Sequence, residues 1–250
     1  MKYENKFEYK VYGDYALFSD PVTRVGGEKS TLPIPTYAAL IGVTKSIYFK
    51  PTLLYVIDEV KILNPIRTVS KGIRRIKYKS DNKGILPELS MYTYLHDVAY
   101  AVRGHFVWNE NHPELEQDRN EDKHFQILKR MIARGGRRDI FLGTRECQAY
   151  VEPCRFDQEK SFYADGEISF GMMYHSIIYA DEAICDEDKG KLTVCFHTPV
   201  MKNGVISFTP PEKCRTKRHI KSASVKVFDT GHFTPTDELF EEVKQIELDE

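Results

Sequence analysis

The order of strand-like and helix-like periodicities is the feature that most restricts the fold of this chain. Residues 6–13, KFEYKVYG, alternate apolar and polar side chains as a half-buried strand does. Thr36 is then placed to cap a helix that ends before Pro51. Segments rich in valine, isoleucine and aromatic residues come next and predict strands, the last of them long or bent. These segments are LLYVIDEVKIL, GIRRIKY and YTYLHDVAYAVRGHFVW.

A second helix is predicted from about Asn120 to Arg134. Its apolar stripe recurs at helical spacing, and the paired glycines Gly135 and Gly136 provide a stop signal. The resulting order of strand, helix, strands, helix and strand is typical of a ferredoxin-like or RRM-like sheet with helices on one face. We therefore expect an α+β fold in which residues 1–149 form an RRM-like domain.

The second part of the chain, residues 150–250, has a different pattern. It contains only short strand-like segments, and Asn203-Gly204 is a strong signal for a two-residue hairpin turn. Thr234-Pro235 precedes an acidic segment that reads as a closing helix. We expect a small antiparallel β domain with an acidic C-terminal helix, packed against the first domain.

Composition limits the class of protein. The chain has 250 residues, of which 41% are hydrophobic and 29% charged, so it can bury a substantial core. It has no apolar run of about 18 residues and no signal-peptide pattern at its N-terminus. Its five cysteines include no CxxC pair, which favours reduced thiols. We expect a soluble cytoplasmic protein with no membrane partner.

Charge is unevenly distributed. The last fifteen residues hold seven acids and one lysine, so residues 1–235 carry 35 basic and 30 acidic side chains. Two basic clusters stand out, one with Arg67, Arg74 and Arg75 and one with Arg137 and Arg138. Such clusters suit a polyanion, and a solvated strand face explains them equally well.

No metal or nucleotide motif accompanies these clusters. The sequence lacks HExxH, paired cysteines, an aspartate cluster, a Walker A loop and a GxGxxG motif. We therefore expect no cofactor and no metal. Acid and base chemistry by His, Lys and Tyr suits RNA cleavage, in which the 2'-hydroxyl attacks the adjacent phosphate. Metal-dependent DNA cleavage stays an alternative, although no acidic cluster argues for it.

Three residues could carry such chemistry, but each has an ordinary structural explanation. His124 at the start of the second helix is more often a structural histidine, and Lys123 a solvated lysine. Tyr48 at the end of the first helix is by default a core or boundary aromatic. The glycine pair Gly135-Gly136 is first of all a helix stop, and its backbone N–H groups are candidates for phosphate contacts with Arg137 and Arg138.

Four segments together resemble one family: residues 7–52, which end in SIYFKPT, DRNEDKHFQILKR, GGRRDIFLGTRECQAYVEPC and GMMYHSIIY. The family is the repeat-RNA-processing backbone subunit of type I-C (Dvulg) CRISPR surveillance complexes, within the repeat-associated RNA-binding (RAMP) superfamily. The resemblance spans nearly the whole chain up to about residue 215, and the GGRRDIFLG-REC run is its most specific part.

The resemblance implies metal-independent cleavage of precursor CRISPR RNA at the 3' base of the repeat hairpin. It implies products with a 2',3'-cyclic phosphate and a 5'-hydroxyl, and retention of the 5' handle in a multi-subunit complex. The family's catalytic tyrosine falls on Tyr48, and its lysine-histidine pair on Lys123 and His124. In our hypothesis His124 moves a proton, Lys123 stabilises the phosphorane or depresses the pKa of Tyr48, and Tyr48 orients or activates the 2'-hydroxyl.

RNA contacts are a second expectation. Candidate positions are Arg67, Arg74, Arg75, Gly135, Gly136, Arg137 and Arg138. The alternatives are a non-catalytic scaffold that binds a handle cut by another nuclease, and a generic single-strand RNA binding module. The presence of Tyr48, Lys123 and His124 together argues against the scaffold.

Overall fold

The computed structural model describes residues 5–21, 23, 27–76 and 87–225. Within these residues the fold is mostly antiparallel β-sheet with few helices. The α-helices are α1 (Tyr37–Ile47) and α2 (Glu121–Ala133). The strands of the first part are β1 (Lys6–Ala16), β2 (Leu53–Ile62), β3 (Thr68–Ile76), β4 (Pro87–Trp108), β5 (Ile140–Phe141) and β6 (Gln148–Glu152). The later strands are β7 (Glu167–Ser169), β8 (Met173–Ile178), β9 (Lys191–His197), β10 (Val200–Lys202), β11 (Val205–Ser207) and β12 (Thr216–Ser222).

Strand β4 organises the main sheet. The sheet runs in the order β5-β6-β1-β4-β2-β11-β10-β7, and β3 pairs with the first half of β4. Asp97 interrupts the extended geometry of β4 with a φ of 53°, and the Asn64 side chain donates to its carbonyl oxygen at 3.0 Å. The prediction of a long or bent strand is confirmed. On one side of the bend β4 pairs with β3, and on the other side it pairs with β2.

Local capping explains both helices. The Thr36 hydroxyl accepts a hydrogen bond from the Ala39 N–H at 3.2 Å, which confirms the predicted start of α1. At α2 the Asn120 side chain accepts from the Lys123 N–H at 3.0 Å. Gly135 takes a φ of 84°, and the Gly136 N–H bonds the Met131 carbonyl at 2.8 Å, closing α2 with a Schellman motif.

The two faces of the main sheet are covered differently. Both helices pack on one face, where a large cluster of buried residues includes Tyr9, Tyr55 and Phe106. On the other face Phe156 is buried over the small side chains of Ala99 and Ala101. Few buried side chains therefore cover this second face. Polar side chains beside the covered part reach solvent.

Strands from the second part of the chain are divided between two sheets. The predicted Asn203-Gly204 hairpin is confirmed, with φ values of 50° and 79° at the two turn residues. However, β11 pairs with β2, so the hairpin extends the main sheet, while β8, β9 and β12 form a separate three-stranded sheet. The expectation that the later segments form one small sheet of their own is wrong for this hairpin.

The predicted domain boundary between residues 149 and 150 falls inside β6, which pairs with β1. The division into residues 1–149 and 150–250 stays a prediction. The expected acidic C-terminal helix lies outside the described residues.

Candidate active site

Tyr48 occupies the C-cap position of α1. Its backbone N–H donates to the Thr44 carbonyl at 3.0 Å, and its own carbonyl accepts from the Tyr55 hydroxyl at 2.7 Å. The residue is only 3% exposed. Because the backbone is held on both sides, the phenol ring has a fixed direction toward the first turn of α2.

His124 is the hydrogen-bond partner of the Tyr48 hydroxyl. It lies in the first turn of α2, is 0% exposed, and its Nδ1 is 2.9 Å from the Tyr48 hydroxyl oxygen. Its Nε2 is 2.7 Å from the backbone carbonyl oxygen of Asp118. A carbonyl only accepts, so Nε2 carries the hydrogen; in the neutral ring Nδ1 is then an acceptor and the Tyr48 hydroxyl donates. The edge of the imidazole also meets the Trp108 ring, 5.8 Å away between centroids.

The carboxylate of Asp118 interacts with two lysines that lie beside this pair. Asp118 ends a 3-10 helix (Pro113–Asp118), and its carboxylate accepts from the Thr52 hydroxyl at 3.0 Å. It forms an ion pair with Lys123, and the Lys50 Nζ lies 3.9 Å from the same carboxylate. One residue therefore orients His124 through its backbone and two lysines through its side chain.

Burial dominates the pKa values of the buried pair. Burial, assisted by the nearby Asp118 charge, raises the pKa of Tyr48 to about 12, and Arg137 opposes the rise. Burial likewise lowers the pKa of His124, against the contrary influence of the Asp118 carbonyl and carboxylate. For Asp118 burial acts to raise the pKa, but Lys123, Thr52 and Lys50 outweigh it and the pKa is lowered. The neutral pair beside an ionised Asp118 is therefore the favoured state.

The three predicted catalytic residues come together, but not equivalently. Tyr48 and His124 form a direct hydrogen bond in a closed position, whereas Lys123 points outward with 42% of its side chain exposed. This agrees with the 100° angle expected between Lys123 and His124 on a helix. A charge effect of Lys123 on Tyr48 is not found; the cation that lowers the pKa of Tyr48 is Arg137.

Asp118, Lys50 and Thr52 belong to the same site, and sequence reasoning did not single them out. Lys50 follows Tyr48 by two residues, and Asp118 begins the DRNEDKHF segment, so both lie beside residues that were named. The contact of Asp118 with His124 uses a backbone carbonyl in a loop, and no periodicity in the sequence reports such a contact.

The GGRR segment packs against the end of α1. The N–H groups of Gly135 and Gly136 close α2, and those of Arg137 and Arg138 donate to the Ile47 and Ser46 carbonyls at 3.1 Å each. All four N–H groups are used inside the protein, so phosphate contacts by this segment would fall to the exposed Arg137 and Arg138 side chains. The segment also joins the C-terminal ends of both helices near Tyr48.

Comparison with known proteins identifies the family. The Cas5d family model, described as CRISPR-associated protein (Cas_Cas5), matches residues 7–209. This chain belongs to the Cas5d family.

Relatives cover most of its length. A protein of Mannheimia succiniciproducens named CRISPR pre-crRNA endoribonuclease Cas5d is 28% identical over 233 residues, 82% of this chain and 96% of the relative. One of the same name from Thermus thermophilus is 27% identical over 59% of this chain and 64% of that protein. A crystal structure titled CRISPR-associated protein has a TM-score of 0.71 and 36% identity, covering 85% of this chain and 96% of the other.

The second predicted set of RNA contacts in this Cas5d-family chain lies far from Tyr48. Arg67 and Arg74 are exposed, and Arg74 pairs with Leu89 near the start of β4. At about 3.3 Å per residue, that position is roughly 60 Å along β4 from Trp108, before the bend is considered. The side chain of Arg75 lies outside the described residues.

Metal-binding clusters and membrane-spanning helices are absent from the described part of the chain. No group of three or more His, Cys, Asp or Glu side chains is arranged to hold a metal ion. No helix there combines the length and the apolar character needed to cross a bilayer. The metal-free chemistry expected from the sequence stays a prediction.

Proposed function

We propose that this Cas5d-family chain is an endoribonuclease that cleaves precursor CRISPR RNA within its repeat hairpins, without a metal, by attack of the 2'-hydroxyl. The observation that carries the proposal is the hydrogen-bonded chain from Tyr48 through His124 to Asp118. The names of the curated relatives as pre-crRNA endoribonucleases support the substrate class.

The buried pair is suited to a proton relay. As the 2'-hydroxyl attacks, its proton passes to the Tyr48 oxygen while Tyr48 passes its own proton to Nδ1 of His124. The resulting imidazolium has a proton on each nitrogen and lies beside the Asp118 carbonyl and carboxylate, which stabilise its charge. This route avoids a free tyrosinate, which a phenol pKa of about 12 disfavours at neutral pH.

The exposed lysines suit the phosphate. Lys123 and Lys50 border the pair with 42% and 40% of their side chains exposed, and both ammonium groups are oriented by Asp118. In our proposal they stabilise the charge of the phosphorane, and one of them protonates the leaving 5' oxygen. The products would be a 2',3'-cyclic phosphate and a 5'-hydroxyl.

Retention of the product in a type I-C surveillance complex is the second part of the proposal. The exposed side chains of Arg67, Arg74, Arg137 and Arg138 would hold phosphates of the 5' handle and of the hairpin. We further propose that the RRM-like unit is formed by α1, α2 and strands in the order β6-β1-β4-β2, each antiparallel to its neighbours.

The test is incubation with hairpin repeat RNA of the same CRISPR locus in excess EDTA. The expected result is cleavage by the wild type, lost with a single 2'-deoxy nucleotide at the scissile position and lost in Lys123→Ala and His124→Ala. His105→Ala is a matched control, because His105 pairs with Asp58 on β2 outside the cluster. Tight binding without cleavage would favour the handle-binding scaffold and contradict the catalytic roles.

A further inference from the structure

A large cavity lined by described residues lies away from Tyr48, between the main sheet and the three-stranded sheet. It has a volume of about 1010 Å³. Its floor is formed by side chains of β2, β4 and β11, including Glu59, Arg103 and Ser207. Its wall is formed by the end of β9 with the segment that follows it, and by the start of β12 with the segment that precedes it. We call this cavity the inter-sheet cleft. Its volume lies at the upper end of the range of about 300–1,000 Å³ that is usual for small-molecule pockets.

The charge of the inter-sheet cleft is unbalanced. Five lysine and arginine side chains line it against two carboxylates, those of Glu59 and Asp157. Both carboxylates pair with Arg103. The lining bases are Lys61, Arg103, Lys202, Lys213 and Arg215. An anionic ligand is therefore the one that the electrostatics of the cleft favour.

Two of these bases are available for a ligand. Lys61 donates to the Phe156 and Glu159 carbonyls, and Lys202 pairs with Glu167. Among the described residues, Lys213 and Arg215 have no carboxylate within salt-bridge distance, and both side chains are exposed. They flank the buried Cys214, and all three residues line the cleft.

The remaining wall adds stacking and hydrogen-bonding groups. Phe196 and the 70% exposed Met172 give apolar surface, and Thr198 and Thr216 give hydroxyls. Among the described residues, Nε2 of His197, which also lines the cleft, is buried and has no hydrogen-bond partner. A cleft that carries both free cations and an aromatic ring suits the phosphates and bases of a single strand better than an acidic peptide, which offers no bases to stack.

We propose that the inter-sheet cleft binds several nucleotides of single-stranded RNA, with Lys213 and Arg215 on the phosphates and Phe196 beneath a base. The proposal rests on the proposed function for the identity of the strand, which is the single-stranded flank of the repeat. The cleft lies on the sheet face opposite the helices. Arg103 is five residues from Trp108, or about 17 Å along β4.

The test uses fluorescence anisotropy with the full-length protein and a 12-nucleotide single-stranded RNA of the repeat flank. Lys213→Gln combined with Arg215→Gln should weaken binding at least tenfold at low salt. It should also reduce the slope of log affinity against log salt by about 1.4, since each single-strand phosphate contact contributes about 0.7. The matched control is Lys189→Gln with Lys191→Gln, the same charge change at the opposite end of β9.

Location and ligand class are tested separately. A 4-thiouridine version of the RNA should crosslink to peptides containing residues 196–199 or 213–216. Equal binding by the cleft variant and the control, or crosslinks confined to other peptides, would overturn the proposal. So would binding of a polyglutamate peptide that is lost in the cleft variant while RNA binding is retained.

The outcome is independent of catalysis. A wild type that binds the strand in the cleft but cleaves no RNA would refute the proposed function and leave the cleft assignment standing.

Discussion

The proposed catalytic cluster of Tyr48, His124 and Asp118 differs from the inter-sheet cleft in how its polar groups are satisfied before any RNA is bound. Tyr48 and His124 are buried, and each makes its hydrogen bonds inside the protein. Lys213 and Arg215 are exposed and lack carboxylate partners within the described residues. A proton relay needs fixed geometry and a dry environment, whereas binding of a flexible polyanion gains from releasing counterions. Substitutions should therefore have opposite signatures in the two regions.

The largest effect should come from Tyr48→Phe, which removes only the hydroxyl. It breaks the relay and leaves Nδ1 of His124 without its donor, so we expect a 10² to 10⁴-fold fall in the single-turnover cleavage rate. RNA affinity should stay within about twofold of wild type. Tyr12→Phe, at an exposed tyrosine of β1, is the control. Cleavage by Tyr48→Phe within threefold of the wild-type rate would contradict the relay.

Asp118→Asn should have a smaller effect, because the backbone carbonyl that bonds His124 is retained. The released lysines lose their orientation, and we expect a fall of about tenfold in single-turnover rate. Since the Asp118 charge supports the protonated form of His124, its loss should lower the pKa of His124 and move the acid limb of the pH-rate profile to lower pH. Asp157→Asn, at a carboxylate that pairs with Arg103, serves as comparison. An unchanged profile would remove Asp118 from the site.

Arg67→Gln combined with Arg74→Gln tests the open surface at the far end of β4. We expect affinity for the hairpin repeat RNA to fall three- to tenfold, with a shallower salt dependence and an unchanged rate at saturating RNA. The Lys189 and Lys191 variant again controls for net charge. A rate defect that saturating RNA does not restore would mean that this surface acts on the chemistry.

The smallest effect concerns stability. Burial lowers the pKa of His124, of His197 to about 4 and, together with neighbouring His197, of His175 to about 3. The unfolded chain takes up protons at these histidines near pH 6.5, so the free energy of unfolding should fall as pH drops below that value. Each histidine contributes up to about 1.4 kcal/mol per pH unit.

The measurement for that prediction is the thermal midpoint between pH 7 and pH 5. Each kcal/mol corresponds to roughly 2 to 4 °C for a protein of this size. His197→Gln should flatten the dependence, whereas His219→Gln, at an exposed position on β12, should not. A midpoint that rises on acidification would contradict the assignment of neutral buried histidines.

Local signals predicted the parts of this fold that depend on local interactions. Thr36, Asn120 and Gly135 mark helix ends because capping involves residues within one turn, and Asn203-Gly204 marks its hairpin for the same reason. Which sheet that hairpin would join depends on β2, about 140 residues earlier, and alternation alone does not encode it.

In the candidate site, too, local features could be predicted from the sequence and long-range contacts could not. Tyr48, Lys123 and His124 came from a family resemblance, while their residue-by-residue interpretation favoured structural roles. The hydrogen bond between Tyr48 and His124 joins residues 76 positions apart, and the Asp118 contact uses a backbone carbonyl. Neither contact leaves a periodic signal in the sequence. The tautomer of His124 and the arrangement of the two lysines could therefore be described only from the structure.

The pairing of β11 with β2 has a consequence for how the chain is made. During synthesis, one edge of β2 stays unpaired until β11 is made about 140 residues later. At ordinary synthesis rates this delay is roughly 7 to 30 s. An unpaired edge of that kind is a template for pairing with other chains. Nascent chains stalled before residue 205, and fragments ending near residue 149, should therefore associate with one another or with chaperones. The late hairpin of β10 and β11 completes the sheet to which β1, β2 and β4 belong.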